Sequence, residues 1–144
     1  MSRIAYVNGR YLPHGAATVH IEDRGYQFAD GVYEVIAVRG GGLIDGEWHM
    51  ERLQRSLSEL QIAMPMSAAA LYVVLRETVR RNRVSTGIVY LQVSRGVARR
   101  DHPFPNPAVR PALVVTARRT VPVAAKIIDE GISVISQPDI RWQR

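Results

Sequence analysis

A chain of 144 residues that is 47% hydrophobic and 22% charged is long enough for one domain with its own core. It has no cysteine, which excludes disulfides and thiolate chemistry, and no apolar run near the roughly 20 residues that span a bilayer. The net charge of +6 is unevenly placed: residues 1–75 hold six Arg against eight acidic residues, residues 76–119 hold ten Arg against Glu77 and Asp101, and the rest cancels.

A basic middle segment suits a nucleic-acid surface, but eighteen Arg against the single Lys126 is not the Lys–Arg mixture of phosphate-tracking surfaces. Nucleic-acid and membrane partners are therefore not expected. The N-terminal MSRIAYVNGRY lacks the apolar stretch of a signal peptide, so a cytoplasmic protein is expected.

The opening IAYVNGRYLP alternates around Asn8-Gly9 and predicts a hairpin of two short strands. A third short strand is expected in ATVHI (17–21). Gly25 and Gly31 bracket a polar turn, after which VYEVIAVR has the β-branched composition of a strand. Its period of two places Tyr33, Val35 and Ala37 on one face and Val32, Glu34, Ile36 and Val38 on the other. Three glycines turn the chain back into LID.

Helical spacing follows. Met50, Leu53, Leu57 and Leu60 form an apolar stripe over 47–61, with Asp45 as N-cap. Pro65 stops this helix, Ser67 is the N-cap of a second, and Leu71, Val74, Leu75 and Thr78 are its buried stripe. GIVYLQVSRG, ALVVTARR and a last GISVISQ read as strands. The order is that of an α+β fold, a mixed, mainly antiparallel sheet with two consecutive helices on one face. Residues 120–131 read as a connector, and PDIRWQR carries a buried-looking Ile140 and Trp142.

Three places invite chemistry. SRGVARRDHPFP (94–105) packs three arginines and a histidine into one short stretch; Arg100 and His102 can together hold a small carboxylate. On that reading Arg95 and Arg99 are solvated or structural neighbours; the bland alternative is an exposed loop whose arginines are neutralised by Asp101 and solvent. Arg52 lies off the centre of its helix stripe, either as a phosphate contact or as a snorkelling surface residue. Tyr33, with small apolar neighbours on its face, suits a polar cavity at the sheet's mouth or an ordinary core position. His14 and His20 lack ligand spacing, and no metal site is expected.

Four blocks, EDRGYQFADGVYEV (22–35), HMERLQRS (49–56), YLQVSRGVARRDHPFP (90–105) and DIRWQR (139–144), resemble in order and spacing the D-amino acid aminotransferases. These are members of the fold-type IV, class IV enzymes that use pyridoxal 5′-phosphate. The resemblance implies a small N-terminal α+β domain over 1–120, with 121–144 as connector and start of a larger cofactor-binding domain. It implies that Arg52 contacts the cofactor phosphate and that Tyr33, Arg100 and His102 hold the substrate α-carboxylate. Val35 and Ala37 would line the side-chain pocket. The substrates implied are a D-alanine-like amino acid and a 2-oxo acid, and the assembly implied is a homodimer. Branched-chain or other class IV chemistry, and an interaction domain without catalysis, are the alternatives.

Transamination needs a lysine to form the Schiff base and to move the proton. The only lysine is Lys126, in the connector, and in the family the catalytic lysine follows a few residues after DIRW. No catalytic residue is therefore expected within these 144 residues, and the chain alone is expected to be inactive.

Overall fold

The computed structural model describes residues 3–140. Strands β1 (Ile4–Val7) and β2 (Arg10–Pro13) form the expected hairpin, with Asn8 and Gly9 both at positive φ, 46° and 98°. Asn8 also ties the turn to the neighbouring stretch around Leu113, accepting a hydrogen bond from its N–H at 2.7 Å. A single 3₁₀ turn, His14–Ala16, and helix α1 (Arg24–Phe28) lead to strand β3 (Gly31–Arg39) and the two-residue β4 (Gly42–Leu43). Helices α2 (Gly46–Glu59) and α3 (Ala68–Arg81) follow, then β5 (Thr86–Ser94), β6 (Ala112–Arg119) and a short α4 (Ala125–Glu130).

The strands make one sheet in the order β2-β1-β6-β5-β3-β4, with every neighbouring pair antiparallel. Both long helices cover the face that carries Ile36, Val38, Val89, Leu91, Val93, Leu113 and Val115. Met50, Leu53 and Leu57 supply the α2 side of that core, and Leu71, Leu75 and Val79 the α3 side. Ser67 caps α3, its hydroxyl accepting from the Ala70 N–H, and Asn82 at the other end bonds both polar main-chain groups of Ile4.

Several expectations fail for identifiable reasons. ATVHI is no strand: 17–21 runs exposed, with Val19 lining a hollow beside Gln92 and Val114 on the open sheet face, and finds no ladder partner. GISVISQ alternates correctly but lies exposed without a neighbouring strand. The connector contains α4, whose residues are all exposed, and Ile140 is 94% exposed rather than buried. Trp142 lies outside the described residues. Asp45 precedes α2 in the left-handed region, φ 51°, and its side chain makes no capping bond. Leu60 is exposed, because α2 ends at Glu59 and Ile62 fills the core in its place.

Leu75 is fully buried between helix and sheet. Leu75→Ala should lower the free energy of unfolding by about 2–5 kcal/mol, read as a shifted urea midpoint at unchanged slope.

Candidate functional site

Strand β3 carries opposite chemistry on its two faces. Its core face should be wholly apolar, yet Glu34 sits there between Val32 and Ile36 with 2% exposure. Two α2 residues one helical turn apart meet it. Arg52 donates from Nε to Oε1 at 2.7 Å and from Nη2 to Oε2, and His49 Nδ1 lies 2.8 Å from Oε2. Burial pushes the Glu34 carboxyl up, but the bonds from Arg52 and then His49 outweigh it and hold the group below its ordinary value. The same pairing raises Arg52.

The bonds to Glu34 occupy one edge of the Arg52 guanidinium. Nη1 and the second proton of Nη2 have no acceptor among the described residues, and the side chain is 57% exposed. A guanidinium fixed along one edge and open along the other is a ready donor fork for a phosphate.

On the other face Tyr33 is 65% exposed, which settles against a core tyrosine. Its ring stacks on Tyr90 with centroids 5.8 Å apart, and the Tyr90 hydroxyl donates to Gln92 Oε1 at 2.6 Å. Val35 and Ala37 share this exposed face. Strand β4 pairs only with the end of β3, at Val38 and Arg39, so the first half of β3 is a free sheet edge among the described residues. Tyr33 stands on one side of that edge and the Glu34–Arg52 pair on the other.

The arginine-rich loop is organised by a residue that carried no sequence signal, Asp30. Arg24 Nε donates to its Oδ2 at 2.8 Å, and Arg95 donates to the same oxygen at 2.7 Å and to Oδ1 at 3.0 Å. Burial raises the Asp30 pKa, and the two guanidinium groups lower it further, leaving it below the ordinary value. Arg95 also donates to the carbonyls of Leu60 and Gln61 and lies 3.8 Å from the centroid of the Phe104 ring. Arg95 is thus structural, while Arg99 is exposed. Asp101 does not neutralise the arginines: its carboxylate caps the His102 N–H and its carbonyl accepts from Arg24.

Arg100 and His102 are exposed and gather over Phe28, at 5.1 Å and 5.9 Å from its centroid. No hydrogen bond or ring contact joins either of them to Tyr33. The fold therefore brings Arg100 and His102 together over Phe28, and sets Tyr33 and Arg52 on opposite faces of the β3 edge. A hollow of about 640 Å³ lies at the opposite end of β3, walled by Gly40, Gly41, Arg76, Arg80 and Arg83, and holds none of the four. Lys126 is exposed on α4, 3.8 Å from Glu130, and no metal-binding group of side chains occurs among the described residues.

Residues 31–144 match the family described as Amino-transferase class IV. The chain belongs to the class IV aminotransferases. It is 40% identical over 139 residues to the D-alanine aminotransferase of Listeria innocua serovar 6a, covering 96% of this chain and 48% of that protein. The D-alanine aminotransferase of Staphylococcus haemolyticus is 37% identical, with 96% and 49% covered. The chain thus spans about half the length of the curated relatives it matches. Among solved structures, the branched-chain amino acid aminotransferase of Escherichia coli superposes with a TM-score of 0.76 at 18% identity, covering 83% of this chain and 42% of that one. The 4-amino-4-deoxychorismate lyase of Pseudomonas aeruginosa gives 0.69 at 26%, covering 89% and 44%. The fold of this class IV aminotransferase chain is the one those enzymes share.

Two predictions follow from its buried carboxylates. Asp30→Asn leaves Arg24 and Arg95 buried with weakened pairing and should cost about 3 kcal/mol, with new proteolytic cleavage inside 99–110 as a second readout. Glu34 contributes stability that is complete above its unfolded value of 4.5 and is lost as pH falls through its lower folded value. Urea unfolding between pH 7 and 3 should therefore show a decline below about 4.5 that Glu34→Gln makes shallower, with Asp30 supplying part of the remainder.

Proposed function

We propose that this chain is the N-terminal half of a pyridoxal 5′-phosphate-dependent D-amino acid aminotransferase, which moves an amino group between a D-alanine-like substrate and a 2-oxo acid. What carries the reading is the 37–40% identity to D-alanine aminotransferases over 96% of the chain, which includes the Tyr33, Arg52 and Arg100–His102 blocks. Residues 1–120 act as the small domain, and 121–144 lead into the larger one. The exposed apolar side chains of that segment, among them Val121, Ile132, Val134 and Ile135, suit burial against further protein. The enzyme is read as a cytoplasmic homodimer; none of the described helices is long and apolar enough to cross a membrane.

Pyridoxal 5′-phosphate, when bound, supplies the electron sink that labilises the bond between the substrate Cα and its proton. The residues present fit one part of that group, its phosphate, through the open edge of Arg52. They do not supply the lysine that bonds the cofactor and carries the proton, since Lys126 is exposed and paired with Glu130. The work of this half is binding. Arg100 offers a planar fork to the two carboxylate oxygens, His102 and the Tyr33 hydroxyl add single donors, and Val35 and Ala37 face the substrate side chain. Three donors at one carboxylate fix its orientation and hence which face of Cα is presented for proton transfer. On this reading the three donors converge on one carboxylate when further surface of the assembly closes over them.

The purified 144-residue chain should show no turnover of D-alanine with 2-oxoglutarate, and measurable turnover overturns the assignment of catalysis to a missing half. In a protein of the relatives' full length carrying these residues, Arg100→Ala should raise KM for D-alanine by about tenfold or more, the worth of a charge-assisted bond. Unchanged kinetics with D-alanine would point instead to a branched-chain type of carboxylate recognition.

A further inference from the structure

Glu34 is the most deeply buried carboxylate among the described residues, and it stands where the strand pattern calls for an apolar side chain. Stability does not account for it. Exchanging a buried ion pair for well-packed apolar residues is commonly neutral or stabilising, and neighbours such as Ile36 and Leu53 would accept an aliphatic side chain. What the carboxylate does accomplish is geometric. Both its oxygens are bonded, and every side-chain bond it makes runs to Arg52 or His49.

Arg52 needs such a hold. It projects from an exposed helix flank, where a long side chain samples many rotamers and an anion would have to immobilise it. We propose that Glu34 is a positioning residue: by gripping the Nε–Nη2 edge of Arg52 it aims the Nη1 edge outward as a fixed fork for a phosphate-bearing ligand. The proposal rests on the reading of Arg52 as the phosphate contact. His49, bonded through Nδ1 to Oε2, shares that oxygen with Arg52 Nη2 and braces the carboxylate, while Oε1 is held by Arg52 Nε.

The electrostatics of Glu34 act against phosphate binding, since its negative charge lies just behind the fork. Charge and orientation therefore predict opposite outcomes and can be separated. Glu34→Asp keeps the charge but draws the carboxylate one methylene back from the guanidinium, beyond hydrogen-bond reach of both nitrogens at once. The probe is inorganic phosphate, titrated into the 144-residue chain and followed by NMR at the Arg52 Nε–Hε signal and the amides of 31–35 and 49–53. In the wild type the Arg52 Hε should exchange with water more slowly than that of Arg55, which is exposed on the same helix and has no side-chain bond among the described residues. Glu34→Asp should lose that protection and bind phosphate about three- to tenfold more weakly, the weight of one immobilised side chain. Ile36→Val, which opens a comparable small cavity on the same strand, should leave phosphate affinity unchanged and so separates positioning from loosened packing.

Equal phosphate affinity in Glu34→Asp and wild type overturns the proposal. So does an unprotected Arg52 Hε in the wild type, a measurement that needs no variant to fold. Arg52→Ala tells the two readings apart: if phosphate shifts persist in it while the wild-type Hε is protected, Arg52 is not the phosphate contact and the anion site falls, with the Glu34–Arg52 pair left as structure.

Discussion

The Asp30 carboxylate, with its side chain 11% exposed, holds two nearly buried guanidinium groups at once. Neither arginine is tolerable in the interior without it, because an unpaired buried charge costs more than the surrounding apolar contacts return. Through Arg24 the pair reaches the carbonyl of Asp101, and through Arg95 it reaches the end of β5, the carbonyls that close α2, and the ring of Phe104. The proline-rich stretch beyond β5 has no ladder of its own to fix it. It is held from below by these bonds, and the places of Arg100 and His102 over Phe28 are set by them.

Four residues further on, Glu34 repeats the device on the helical side of the sheet. Asp30 organises the loop, Glu34 organises α2, and Gly31 between them lets the strand approach β5: a Cβ there would come within 2.6 Å of the Val93 carbonyl oxygen. Each of the groups assigned to binding therefore takes its position from the short stretch 30–34 or belongs to it. Buried ion pairs add little net stability, so their value here is that they specify one arrangement of three separate elements.

The parts of this architecture that were legible in the sequence are those governed by local period. The Asn8-Gly9 hairpin, the alternation through β3 and the spacing of Met50, Leu53 and Leu57 each follow from backbone geometry and burial alone. ATVHI and GISVISQ carry the same alternation, yet a strand exists only where a partner edge is free to receive it, and that is a tertiary fact. Glu34 leaves a trace in the sequence, a charged residue on the apolar face of a strand with His and Arg spaced by three on the next helix. Asp30 left none, because a turn carboxylate gains its meaning only when residues 24 and 95 are brought to it by the fold.

If Tyr33, Arg52, Arg100 and His102 bind as proposed, their distribution over this chain has a physical consequence for how selectivity arises. Tyr33 and Arg52 flank a sheet edge with unpaired main-chain groups, while Arg100 and His102 ride on a loop that is braced internally but open outward. A carboxylate meeting only Arg100 and His102 would gain two exposed charge-assisted bonds, which water competes for effectively. The same donors become discriminating once an opposing surface excludes that water, since the interaction strengthens as the local dielectric falls. Rigid placement by buried carboxylates on one side, and desolvation by additional protein on the other, are then separate contributions. On the proposed reading this chain supplies the first, and its exposed apolar surface is suited to receiving the second.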